Sequence, residues 1–304
     1  RISQFGMERR IIQLIIIITA FCFLFAEGSY DILNLPQDAR SLALNNTTSA
    51  YDDPFMHNNP AAISMRSSGM SYSYLHLPAN IHLGKIHLIN NKNNRIRAAK
   101  FSLLNYGTII DSETEEKSYA IDALFEMVYK KEIKNIVSVG ISGGYLFSSI
   151  AEFNSQILFS KIGARSRFFQ KRLGIGFSLE NMGILLKSYT DIKEPIPALF
   201  RTAAYYRPMY IPLIINGDIV RKLDSNSFYF SGGLEFMYQR RLTFRLGISS
   251  NRSSYLTEDF SSDIISGISG GVGFQFQKIT LDIGFMNLGP AGFIMGFSIS
   301  NKQN

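Results

Sequence analysis

From about residue 69 to its C-terminal end, the chain alternates apolar and polar residues with a period of two. In SYAIDALFEMVYKK, Tyr119, Ile121, Ala123, Phe125, Met127 and Tyr129 share one parity, while Asp122 and Glu126 fall on the other. Successive side chains of a strand point to opposite faces, so each run predicts one oily face and one wet face. The pattern returns in Val137, Val139, Ile141, Tyr145 and Phe147, in Leu173, Ile175, Phe177 and Leu179, and in Ile279, Leu281, Ile283 and Phe285. No stretch in this region carries a helical stripe. The alternation predicts about fourteen strands, near 69–77, 81–89, 95–104, 118–130, 136–148, 153–164, 171–180, 198–207, 212–221, 227–238, 242–250, 267–277, 279–287 and 292–300.

An even number of strands about 9–13 residues long suits a membrane-spanning barrel, because a tilted strand crosses the hydrocarbon in about 9–11 residues. Soluble sandwiches use strands of about five or six. A sheet with an oily outer face must also close, since each unpaired N–H or C=O in hydrocarbon costs several kcal/mol. The expected fold is therefore all-β, a closed antiparallel transmembrane β-barrel of about fourteen strands.

Composition agrees. Charged residues make up 18% of the 304, against roughly 25% in soluble domains, and aromatics 13%, all Phe and Tyr. Tyr72, Tyr74, Tyr205, Tyr206, Tyr210 and Tyr255 are expected to form interfacial girdles. The net charge of +7 comes from dispersed Lys and Arg, with no basic stripe of the kind nucleic acid requires. The strand glycine pairs Gly143-Gly144, Gly232-Gly233 and Gly270-Gly271 mark bends or places where other backbone approaches closely.

The first 28 residues read as upstream residues and a signal peptide: Arg9 and Arg10, an apolar run from Ile11 to Phe25, then the small residues Ala26, Gly28 and Ser29. An uncleaved anchor is the alternative, although a helix over that run would span only about 22 Å of the roughly 30 Å needed. The single cysteine, Cys22, lies in the run, so the remainder is cysteine-free, as suits an oxidising compartment. The expected location is the bacterial outer membrane.

Residues 29–68 do not alternate, which separates them from the barrel at 69–304. Asn59 is a good helix N-cap and Pro60 a good first helical residue, followed by Ala61 and Ala62. A helix this slender fits inside a barrel beside strand glycines. The residues LNLPQDARSLAL and AYDDPFMHNNPAAI, with LENMGILLKSYTDIKEPIPALFRTAAYYRP at 179–208, resemble the PorV/PorQ family, relatives of FadL-type barrels, and the ILNLP opening is most similar to PorQ. Where the family has a glycine pair this chain has Asn45-Asn46, residues that tolerate left-handed turns.

The resemblance implies an N-terminal hatch in the lumen, with Asp38, Arg40, Asp52, Asp53, Asn59 and Pro60 as its motif residues. It also implies a role in type IX secretion or cell-surface attachment, with other secretion-system proteins as partners. FadL-like relatives instead pass hydrophobic compounds, the alternative function, with a hydrophobic ligand in the lumen. Arg40 is expected to pair with Asp52 or Asp53. Outer-membrane lipid is the expected surroundings.

Signs of catalysis are thin. His57, His76, His82 and His87 form no tight cluster with carboxylates, so neither metal nor cofactor is expected. There is no G-x-S-x-G elbow, and GISGGVG at 267–273 lies in a strand pattern with no helix after it, unlike a phosphate loop. Asp122, Glu126, Glu180, Asp218, Glu235 and Asp282 fall on the presumed lumen face, where charge is ordinary. They are expected to be wall, and the protein non-enzymatic.

Overall fold

The computed structural model describes residues 30–52, 58–64, 68–110, 117–133, 136–225, 227–239, 241–251 and 266–303. The N-terminal apolar run, Asp53, His57 and Tyr255 lie outside them. Fourteen antiparallel strands form one closed barrel: β1 (Ser68–Leu77), β2 (Ile81–Lys92), β3 (Arg95–Ile110), β4 (Lys117–Ile133), β5 (Val137–Ile150), β6 (Phe153–Phe168), β7 (Leu173–Lys187), β8 (Leu199–Tyr206), β9 (Leu213–Lys222), β10 (Phe228–Tyr238), β11 (Leu242–Ser249), β12 (Ile268–Phe276), β13 (Ile279–Asn287) and β14 (Phe293–Gln303). Each strand pairs with its neighbours in sequence, and β1 closes on β14 with Ser68 opposite Gln303.

Every predicted run becomes a strand, but β3, β4, β6 and β7 overrun their predicted lengths to reach 16, 17, 16 and 15 residues. In β3 and β7, bulges explain why the sequence pattern stopped short. The β3–β4 register shifts between Asn105 and Thr108, where Gly107 takes φ 79°, and the β6–β7 register shifts near Asn181, at φ 58°. A bulge inserts one residue and inverts the parity beyond it.

The outward face is an apolar band of exposed side chains such as Phe125, Met127, Ile162, Phe177, Ile283 and Phe297. Such a surface is stable only against hydrocarbon. Tyr72, Tyr74, Tyr206 and Tyr210 are exposed, as the girdle reading requires. Tyr205 is not: it points inward, buried, and its hydroxyl donates to the Lys171 carbonyl at 2.9 Å. The start of β1 and the end of β14 share one rim, here called terminal, and the opposite rim is distal.

Residues 30–52 and 58–64 run along the inward faces of the strands. They contain 3-10 turns at Asp31–Leu33 and Pro60–Ala62 and one short helix, α1 (Ala39–Ala43). Asp38 caps α1, accepting the Ser41 N–H at 2.8 Å while its own N–H donates to Ser41 Oγ. Asn45 and Asn46 adopt φ 51° and 64°, the left-handed turn their residue type allows. Asn59 caps the second turn by accepting the Ala61 N–H at 2.9 Å, with Pro60 in first position.

Inward-facing wall glycines make room for this path. A Cβ on Gly140 would stand 2.5 Å from the Pro60 carbonyl carbon, one on Gly271 2.6 Å from Ala43 Cβ, and one on Gly247 2.6 Å from the Leu44 carbonyl carbon. The glycine pairs divide by parity. Gly233 and Gly271 face the N-terminal segment, Gly144 faces the Phe159 ring, and Gly143 has nothing within 4 Å.

Candidate functional site

The two halves of the lumen differ in chemical balance. Toward the terminal rim ion pairs dominate, beside a small apolar patch of Ile63, Ile89, Ile96 and Val128. Arg40 forks onto Glu235 at 3.0 and 2.6 Å, Glu235 also accepts from Arg245 Nε at 3.0 Å, and Arg245 Nη1 donates to Asp282 at 2.7 Å. This chain borders a cavity of about 200 Å³ that Tyr51, Thr243 and Gln275 also line. Lys85 Nζ donates to Asp38 at 2.8 Å. Asp52 lies 2.6 Å from Arg165 Nη1 and 3.1 Å from Arg167 Nη1, and Arg167 also holds Glu132.

The expected pairing of Arg40 with Asp52 therefore gives way to pairing with the wall. α1 carries Arg40 to β10, while the chain has turned by Asp52 to lie over β6. Asp53, the other expected partner, lies outside the described residues. Asp38, Arg40, Asp52, Asn59 and Pro60 all sit against inward strand faces, and each binds a different part of the wall or its own turn. Burial alone would raise the carboxyls of Asp38 and Asp52. Lys85 in the first case, and Arg165 with Arg167 in the second, hold them below the usual carboxylate range.

The six wall carboxylates do face inward and are buried. The sequence reading missed their partners. Lys100 and Lys161 flank Glu126 at 2.6 and 3.3 Å, and Arg201 joins Glu180 and Asp218 at 2.9 and 3.2 Å. Lys and Arg at inward parity on the same strands were the available signal.

Toward the distal rim the lumen is mostly apolar around one buried acid, Asp122, which accepts from the Tyr106 hydroxyl at 2.9 Å and from Ser148. Ile32 and Leu33 are buried among Leu75, Leu83, Leu104, Leu124, Leu146 and Phe159. Tyr30 stacks on Tyr189 with ring centroids 6.1 Å apart, and its hydroxyl lies 2.7 Å from Ser155 Oγ. Gln37 marks the boundary between the halves, donating to the Ile32 carbonyl at 2.7 Å and accepting from Ser102 at 3.2 Å. His87 is buried in the wall, while His76 and His82 face each other across the β1–β2 hairpin, with their Nδ1 atoms 3.4 Å apart.

Solved structures share this architecture. The Pseudomonas putida toluene transporter TodX matches with a TM-score of 0.60 at 12% identity, over 86% of this chain and 96% of its own. The Ralstonia pickettii toluene transporter TbuX matches at 0.61 and 12%, over 91% and 100%, and the CymD monoaromatic hydrocarbon channel at 0.62 and 11%, over 90% and 99%. The fold is that of the barrels of these transporters and channels. At these identities the likeness speaks for the fold alone. No protein-family model matches the sequence, and no curated protein is detectably similar to it.

Asp31, itself exposed, stands at the edge of the distal chamber. Desolvation at that edge pushes its carboxyl up to about 6, Asp122 adds to the rise, and Lys222 opposes it. The docked segment thus disfavours ionised Asp31. Docking is unpenalised below the ordinary pKa near 3.8 and weakens as pH rises through about 6. Hydrogen exchange at residues 30–35 is expected to quicken across that window, and Asp31→Asn to flatten the dependence. A wild-type rate that is flat once corrected for intrinsic exchange would remove Asp31 as the cause.

Proposed function

We propose that the protein is a non-enzymatic passive channel for small hydrophobic compounds across the outer membrane. The observation that carries this reading is the apolar distal chamber, lined by strand leucines and Phe159 and filled by the chain's own Ile32 and Leu33. Connections that are mostly shorter at the terminal rim and mostly longer at the distal rim favour a chamber that faces the cell exterior. An apolar solute entering from that side would take the place of residues 30–35, which act as a hatch. The structural neighbours described as toluene transporters and monoaromatic hydrocarbon channels support the same class of solute.

Cells whose own hydrocarbon channels are deleted provide the test. Expressing this barrel should raise their toluene uptake, and Leu124→Asp, which adds a second carboxyl to the chamber beside Asp122, should abolish the gain while the barrel still folds. Uptake equal to that of cells without the barrel overturns the proposal.

A second reading, a component of type IX secretion or surface attachment, is favoured by the LNLPQDARSLAL and AYDDPFMHNNPAAI boxes. Under it the ion pairs that fasten the N-terminal segment would seal the barrel for service as a scaffold. A pull-down from cells that possess the system distinguishes the two: recovery of secretion components without any uptake phenotype supports the scaffold.

A further inference from the structure

The terminal rim is strongly basic on its outer side. Lys92, Arg95, Arg97, Lys131, Arg241 and Lys278 are exposed there. Among the described residues, the outward strand positions of this half carry no carboxylate, and Glu132, which faces inward, is already held by Arg167. The apolar band directly above has a groove of about 600 Å³ across β4–β8, with Lys131, Val139, Ile162, Phe177 and Phe200 among its walls. Its floor is low because β6 presents Ala164 outward between the bulkier Val139 of β5 and Phe177 of β7. The next outward residue of β6 toward the rim is Ser166, again small, opposite Val137 and Ile175.

The groove therefore continues along β6 toward the basic rim. Lys131 stands at its edge, Cα partner of Val139 on one side and of Arg95 on the other, with Arg97 opposite Tyr129 on the adjacent row. A flexible apolar tail fits the groove, and an anionic group on that tail would meet three cations at the depth where headgroups lie. Basic residues at such a depth attract anionic lipid.

We propose that the outer wall over β6 is a binding site for an anionic phospholipid of the leaflet at the terminal rim. One acyl chain lies in the Ala164 groove, and the phosphate is held by Lys131, Arg95 and Arg97. The site is independent of what the lumen passes. It would fix the depth of the wall beside the strands to which Asp52, Asn59 and Pro60 attach.

Electron spin resonance of the full barrel in phosphatidylcholine vesicles tests the site, with spin-labelled phosphatidylglycerol or phosphatidylcholine as probe. Phosphatidylglycerol should be immobilised about fivefold more strongly, the factor that one well-placed basic residue supplies at an anionic interface. Lys131→Gln should shrink that preference. Ala164→Phe, which fills the groove from outside the ladder, should lower the immobilised phosphatidylglycerol fraction with all cations still in place. Retention of the heat-resistant gel mobility of folded barrel verifies each variant. Equal immobilisation of the two probes in wild type overturns the proposal, as does a preference that survives Ala164→Phe. It is equally overturned if the groove serves a second copy instead, seen as a cross-linked dimer in phosphatidylcholine that Ala164→Phe abolishes with no lipid preference in either protein.

Discussion

Arg201→Met is expected to destabilise the barrel by about 3–5 kcal/mol, the cost of removing one partner from a buried ion cluster. Arg201 is buried on the inner face of β8, bound to Glu180 of β7 and Asp218 of β9. It also donates to the Asn46 carbonyl of the N-terminal segment at 3.4 Å. Methionine fills most of the volume but leaves two carboxylates facing each other without a counter-charge. Urea unfolding of the barrel in lipid, followed by gel mobility, should show the midpoint falling. Adding Glu180→Gln and Asp218→Asn to Arg201→Met should restore most of the loss, because the charges then disappear together. If the triple variant is as unstable as the single one, the effect belongs to packing and not to charge.

Gly284→Val is expected to expel α1 while leaving the wall standing. Gly284 faces inward on β13, and a Cβ there would lie 3.1 Å from the Ala39 carbonyl carbon and 3.3 Å from the Ala43 nitrogen, with the Ala39 oxygen closer still. Those are backbone atoms of a helix already held by Ala39 N–H to Ser298 Oγ and by the Asp38–Lys85 pair, so they cannot turn aside as a side chain would. Overpacking of this kind costs about 1–3 kcal/mol, and it falls on the docked segment because the β13 ladder bonds are unaffected. Planar-bilayer recordings should show higher conductance than wild type, and limited proteolysis should cut first between residues 30 and 52. Gly143→Val is the control: it adds its methyls to the outward face, where nothing lies within 4 Å, and should leave both readouts unchanged. An unaltered conductance in Gly284→Val would mean that α1 does not obstruct the path.

Legibility followed the solvent. On the outward face every second residue must satisfy hydrocarbon, so Tyr119 to Tyr129 or Ile279 to Phe285 declare their strand and their direction without reference to any other part of the chain. The inward face answers to no single solvent. Leu83, Leu104, Leu124 and Leu146 occupy the same inward parity as Lys85, Lys100, Glu126 and Ser142. Read along one strand, that mixture is only a weak polar stripe, and the apolar chamber emerges when fourteen strands bring their leucines to one level. The local devices of the N-terminal segment, the Asn59–Pro60 cap and the Asn45-Asn46 turn, were likewise legible because their partners lie within a few residues.

By itself, then, the sequence determined the number of strands, their order around a closed barrel and which side chains meet the membrane, because period-two patterning acts over neighbouring residues. Only the tertiary structure decided that Arg40 would join Glu235, 195 residues away, that Asp52 would reach Arg165 and Arg167, and that Ile32 and Leu33 would fill the distal chamber. Ion pairing inside a barrel depends on which strand each charge faces across the lumen, and chain separation carries no record of that distance.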